Sequence, residues 1–242
     1  MLKRLGLSAS TLKIPACVSM LIDHTGILLF PQEHWMRVVG RLAFPLFAYF
    51  IAEGCRYTRN RLKRFVTIFS LGLICEAVYV VADGGYYGNV LLTFSFSVML
   101  IYVWQECQRC VFTRDPKAFL WIAVFLIAIV GTVLFVQHVG IDYGIAGVMT
   151  PVLLSLIDDR SGTMPPALKR LCGRPAKILL FAAALLWLII ANPYVERQLW
   201  CLLTVPLLLL YNGEAGKTRL KYGFYLFYPL HLAILQLIAW IR

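Results

Sequence analysis

Charge is what this chain has least of. Only 14% of its 242 residues are Asp, Glu, Lys or Arg, against about 25% in soluble domains. That is too little polar side chain to cover a globule in water. Acidic residues are the scarcer sign, 12 against 23 basic. A net charge of +11 would point to nucleic acid in a soluble protein. In so apolar a chain it reads instead as Lys and Arg gathered in the loops on one side of a membrane, so no nucleic-acid partner is expected. Walker, Rossmann and GxSxG fingerprints are lacking. No three His, Cys or carboxylate groups stand at a familiar ligand spacing, so no metal is expected. Cysteine is present seven times. Cys17, Cys75 and Cys201 lie inside apolar runs and read as small core hydrophobes. Cys107 and Cys110 form a CxxC without a second pair, a weak signal for zinc or redox chemistry. Met1–Leu12 has no apolar core followed by a small-residue cleavage site, so the first apolar run is expected to be retained. Internal repeats and low-complexity runs are also missing.

What is present is apolar length. The chain is 60% hydrophobic with a mean hydropathy of +0.76. Nine apolar segments can be marked, near 12–30, 36–55, 64–82, 89–105, 117–137, 141–157, 176–191, 197–211 and 221–241. The expected fold is therefore all-α: one domain over residues 1–242, an integral membrane bundle of about nine transmembrane helices. The segments 141–157 and 197–211 are short for a span. The basic residues test this map. With the N-terminus in the cytoplasm, 19 of the 23 Lys and Arg fall at inner ends and loops, and only Arg37, Arg41, Arg197 and Arg242 belong to the outer half. The longest loop, about Asp158–Pro175, is polar and basic. It reads equally as a plain connection or as a contributor to an anion site.

The stretch Lys13–Phe30 organises the rest. It is apolar enough to cross a bilayer, yet carries Asp23 and His24 side by side. An ionisable group in such a span costs a few kcal/mol or more and marks a functional site by default. A rise of about 1.5 Å per residue puts His24 about 18 Å past Leu12 and Glu76 about 18 Å past Arg64. It puts His231 about 15 Å past Lys221 and Arg41 about 22 Å from the inner face. Four groups from four helices thus converge on one layer. The bland alternative is a set of helix-locking ion pairs, such as Arg41 with Glu76. His24 is the candidate catalytic base. Asp23, about 100° around the helix from it, is not expected to hydrogen-bond it directly. It would anchor a neighbouring helix or tune the base. Lys13 and His24, eleven residues apart, share a helix face about 16.5 Å apart along the axis. A cation at the mouth and a base at depth suit a long ligand with a phosphate head and a thin reactive tail. Pro45 cannot donate to the carbonyl of Arg41, so the second helix is expected to kink beside the polar layer. His34, next to Trp35, reads as interfacial. His138 lies near the outer end of the fifth segment. Asp142 reads equally as a lining residue of an outer entrance or as a cap.

The pieces SMLIDHTGILLFP, RVVGRLAFPLFAYFIAEGCRYTRNRLKRF, DYGIAGVM and YGFYLFYPLHLAIL, in that order, resemble the TraX family of membrane proteins, known for the F-pilin acetylase of conjugative plasmids. That family looks distantly related to acyltransferase family 3 and to the lysosomal heparan glucosamine N-acetyltransferase. The resemblance implies an enzyme of the bacterial inner membrane. It would take an acetyl group from cytosolic acetyl-CoA, as co-substrate, and pass it to an amine or hydroxyl of a protein or glycan acceptor on the far side. Acyltransferase family 3 carries a basic residue, ten intervening residues and a histidine, which Lys13 and His24 match. By that similarity His24 is the catalytic histidine, with Asp23 and Arg41 beside it. Lys13, Arg41, Glu76 and His231 are the expected cofactor-binding residues, with Arg41 near the thioester carbonyl. The rival expectations are a proton-coupled transporter, which also uses ionisable groups at the midplane, and a non-catalytic membrane factor for pilus assembly.

Overall fold

A computed structural model of the chain describes residues 6–159, 162–216 and 220–241. Lys3, Arg4, Arg160, Lys217, Arg219 and Arg242 of the charge map lie outside the described residues. Among those described, the fold is helical, and its one extended pairing is a bridge between Leu7 and Tyr211. The helices run α1 (Ala9–Leu28), α2 (His34–Gly40), α3 (Ala43–Tyr57), α4 (Arg61–Asp83), α5 (Val90–Phe112), α6 (Ala118–Val139), α7 (Gly144–Ser155), α8 (Pro166–Leu171) and α9 (Arg174–Ile190). They continue with α10 (Val195–Gln198), a 3₁₀ turn Leu199–Leu203, α11 (Thr204–Leu209) and α12 (Leu220–Ile241).

Each of the nine apolar segments is helical. Five stretches are long and apolar enough to cross a bilayer: His34–Tyr57, Arg61–Val81, Val90–Phe112, Ala118–Val139 and Gly223–Ile241. The 20 residues of α1 have the length, but Lys13, Asp23 and His24 dilute its apolarity. α7 and α9 have 12 and 17 residues. The segment after Tyr194 is broken into α10, the 3₁₀ turn and α11.

The outside of the bundle is as apolar as its core. α6 buries only Phe125, Thr132 and Val136 and turns Phe119, Leu126, Ile127, Val130 and Leu134 outward. α12 exposes Leu226, Leu230, Ile234 and Leu237 at helical spacing. In water such a surface would drive association, whereas hydrocarbon solvates it.

α3 is the hub, packed against α1, α5, α7 and α11 and buried on most of its surface. It begins where the second apolar segment breaks. α2 stops at Gly40, Arg41 caps it, and α3 restarts after Leu42. Pro45 falls in the first turn of α3, where its missing N–H has no intrahelical partner to lose. α1 and α2 pack at close range. A Cβ built on Gly26 would lie 2.8 Å from Met36 Cβ, and one on Gly40 would fall on the Asp23 carboxyl. Ser19 Oγ donates to the Val39 carbonyl at 2.6 Å. At the basic end the chain start is tied to the segment before α12: Leu7 N–H donates to Leu210 O at 2.8 Å and Ala9 N–H to Glu214 O at 2.8 Å.

Candidate active site

α1, α3, α4 and α12 enclose a passage. Its wide mouth, about 1100 Å³, is lined by Lys13, Glu53, Arg59, Lys63, Arg64 and Tyr225 among others. A narrower part of about 220 Å³ carries on to Asp23, His24, Phe44, Phe94, Asp142 and Tyr228. Lys13, Phe50, Gly54, Arg64 and Tyr225 line both parts, so mouth and depth are continuous. Lys13 stands where the sequence spacing expects it, with Nζ 5.4 Å from the centre of the Phe50 ring and 5.6 Å from that of Phe224. At the waist, Arg64 Nη2 donates to the Ile51 carbonyl at 3.3 Å. Its guanidinium lies against Gly54, which has no side chain to block it.

At depth, α1 and α12 bring His24 and His231 together. His24 Nδ1 and His231 Nε2 are 2.6 Å apart, and the two rings meet end to end, their planes 22° apart and their centroids 4.9 Å apart. His231 Nδ1 lies 2.7 Å from the Phe227 carbonyl, one turn back on the same helix. Tyr228 meets His24 edge-on at 6.0 Å and His231 at 5.6 Å. Asp23 points away from His24, as the 100° offset requires, and pairs with Arg37 of α2 at 2.7 Å. Of its two expected roles it thus holds a neighbouring helix. Its other oxygen, Oδ1, is buried and has no hydrogen-bond partner among the described residues, and its side chain lines the narrow cavity.

Arg41 is 8% exposed and donates through Nη1 to Gln198 Oε1 at 3.3 Å. It is not among the residues lining the passage, and it pairs with Gln198 of α10 rather than with Glu76. Glu76 stands apart from the histidine pair. Its carboxylate accepts from the backbone N–H groups of Tyr87, Gly88 and Asn89 and from Asn89 Nδ2, at 2.6–3.2 Å. That pins the turn that starts α5. The expected four-group layer therefore resolves into a histidine pair, an arginine one helix away and a carboxylate used as a loop anchor.

Asp142, in the turn between α6 and α7, lines the narrow cavity beside Tyr143. Tyr143 carries φ of 61° and stacks on Phe44 at 4.0 Å. A non-glycine residue in that region stores strain. The wall of the mouth holds a charge network that sequence reading does not single out. Lys177 Nζ donates to Glu53 Oε2 at 2.7 Å and to Asp158 Oδ1 at 2.9 Å, all three being buried. Lys177 and Asp158 lie at the ends of a polar loop, where charge is ordinary, and no spacing pattern marks them as partners of Glu53. Gln198 is equally silent, an amide that follows Glu196 and Arg197 at the head of an apolar run.

An apolar sheath around an internal passage that carries ionisable side chains makes this a helical membrane protein with an internal site. The site is built mainly by its first and last long helices. The chain belongs to the TraX family, whose sequence profile, described as TraX protein, matches residues 8–239. Among curated relatives it is 27% identical over 254 residues to a probable fimbrial assembly protein FimC, serogroup H1, of Dichelobacter nodosus, covering 97% of each chain. It is 28% identical over 239 residues to Protein TraX of Escherichia coli, covering 94% of this chain and 86% of the relative. A 39-residue stretch is 46% identical to an uncharacterized protein of Rickettsia prowazekii. No solved structure matches.

Proposed function

We propose that this protein is a membrane-embedded acetyltransferase. It moves an acetyl group from cytosolic acetyl-CoA to an amine or hydroxyl acceptor at the far side of the bacterial inner membrane. The observation that carries the reading is the continuous passage with cations at its wide mouth and, at its narrow end, His24 in contact with His231 behind it. Those dimensions suit a bulky anionic head and a thin arm. Lys13, Lys63 and Arg59 would meet the phosphates, and Lys13 with Phe50 would flank the arm as it enters the narrow part. In this reading the nine helical segments all traverse the bilayer, with the N-terminus and the basic mouth cytoplasmic. The fimbrial assembly role in one relative's name favours a protein acceptor.

His24 acts as general base. As the acceptor N–H or O–H attacks the thioester carbonyl, His24 Nε2 takes its proton. The carbon–sulfur bond then breaks, and the same proton passes to the leaving thiolate. His24 ends as it began. The developing oxyanion needs a donor in the dry part of the site. Arg41 is one helix away, so its part is electrostatic and at a distance, through the Asp23 and Arg37 pair. The test is acetyl-CoA turnover by the purified protein in detergent with a supplied acceptor. His24→Ala is expected to lower turnover by about 10²–10⁴-fold. Unchanged turnover in that variant would sink the assignment, and flux across liposomes without acyl-CoA consumption would replace it with a carrier.

A further inference from the structure

The two imidazoles form a directional chain whose order can be read from one end. A carbonyl oxygen can only accept, so the hydrogen between His231 and the Phe227 carbonyl sits on His231 Nδ1. Among the described residues neither imidazole has a carboxylate partner, and His231 is 5% exposed. A lone buried charge is costly, so the neutral ring is the favoured form. In a neutral His231 the remaining nitrogen, Nε2, is bare and must accept. The 2.6 Å contact is then a donation from His24 Nδ1–H, which leaves His24 Nε2 bare. The direction runs from His24 through His231 to the backbone of α12.

We propose that His231 is a positioning residue that fixes His24 in the tautomer with Nδ1 protonated and Nε2 free to take a proton. This rests on the reading of His24 as general base. A carboxylate usually holds that place beside a catalytic imidazole. Here its chain neighbour Asp23 is committed to Arg37, and a backbone carbonyl relayed through a second imidazole takes the role. When His24 Nε2 gains the acceptor's proton, the new imidazolium keeps its Nδ1–H donated to His231 Nε2. No proton leaves His231. The ring is held for this purpose by stacking on Phe227 at 4.8 Å and by the edge of Tyr228.

The experiment uses the full-length protein in detergent with ¹⁵N-labelled histidine, whose nitrogen shifts separate protonated from bare ring positions. His34 and His138 are removed from the spectrum by substitution. Wild type is expected to show His24 with Nδ1 protonated and Nε2 bare. His231→Leu is expected to mix the two tautomers. His231→Gln, whose amide oxygen can stand in for the accepting nitrogen, is expected to keep the wild-type pattern. In turnover, His231→Leu should lower kcat by about 10²-fold or more with KM for acetyl-CoA within about twofold, and His231→Gln should recover most of the loss. A protonated Nε2 on His24 in wild type, or a tautomer that His231→Leu leaves unchanged, overturns the proposal. If His231→Leu does not fold, the wild-type and His231→Gln spectra decide. A tautomer pattern as expected in a protein that turns over no acyl-CoA would support the pairing while removing the acetyltransferase reading.

Discussion

The absence of a methyl group at residue 40 decides where Asp23 can stand. A Cβ there would overlap the Asp23 carboxyl, so only glycine lets α2 close on α1 while Asp23 reaches Arg37. Gly40→Ala is expected to push the carboxyl off its partner and cost about 1–3 kcal/mol, the usual penalty of overpacking. It should appear as a lower melting temperature in detergent with reduced turnover. An unchanged melt would mean that α1 and α2 have slack at this point. How far such detail can be read from the chain differs from residue to residue. His24 and His231 are legible because an imidazole in an apolar run is costly, and counting rise per residue brings the two to similar depth. The non-contact between Asp23 and His24 follows from helix geometry alone. Glu76 and Arg41 defeat the same counting, because depth fixes a height along the axis and says nothing of which way a side chain faces. Glu76 turns to three consecutive N–H groups at Tyr87, Gly88 and Asn89, a grouping that exists only once that turn has folded. Gln198, the partner of Arg41, lies 157 residues away with no pattern joining them.

At the scale of elements, the segments were legible and their breaks only partly so. The interruption before α3 follows from Pro45, whose ring denies the Arg41 carbonyl its helical partner. Within 195–209, Pro206 in the first turn of α11 marks the last break in the same way, and no residue marks the change to a 3₁₀ turn at Leu199. What joins the elements at the mouth is Lys177, which ties α9 to Glu53 on α3 and to Asp158 beyond α7. Burial raises the Asp158 carboxyl above the ordinary carboxylate range, and the Lys177 charge opposes that rise. The raised group binds its proton more tightly in the fold than in the unfolded chain. Its contribution to stability is full below the unfolded pKa and is lost as pH climbs through the folded one. Removing Lys177 removes the opposing charge and raises the group further. Lys177→Met is therefore expected to cost about 3–5 kcal/mol near neutral pH, since it strips Glu53 of this ion pair and leaves buried Asp158 only the longer contact to Arg56 at 3.7 Å. The deficit should shrink on acidification. Unfolding in detergent across a pH series measures both, and a deficit that does not change with pH would mean that lost packing, not the stranded carboxylates, sets the cost.

Over the whole molecule, the sequence places Lys and Arg in alternate loops of an apolar chain. That asymmetry was the clearest message of the chain, because Lys and Arg are few and their loops alternate. Its consequence is visible at the mouth, where Lys13, Arg59, Lys63 and Arg64 line one opening and only Glu53 among its lining residues is acidic. Cations around a low-dielectric opening attract an anionic ligand over a distance set by salt, about 8 Å at physiological ionic strength. In the proposed function the chemistry lies elsewhere, at the histidine pair, about 16.5 Å deeper by the helix rise from Lys13 to His24. Binding and reaction are therefore separable in this molecule, and mutating the mouth should move one without the other. Lys63 is exposed on the first turn of α4, so Lys63→Gln leaves the core alone. It is expected to raise KM for acetyl-CoA about threefold to tenfold, roughly the strength of one screened charge contact, with kcat unchanged. Raising the salt concentration should lift the wild-type KM in the same direction and narrow the gap to the variant, because screening removes the interaction that the substitution removes. A fall in kcat at constant KM would instead mean that Lys63 acts on the reacting end of the passage, and the division between a charged mouth and a neutral catalytic floor would not hold.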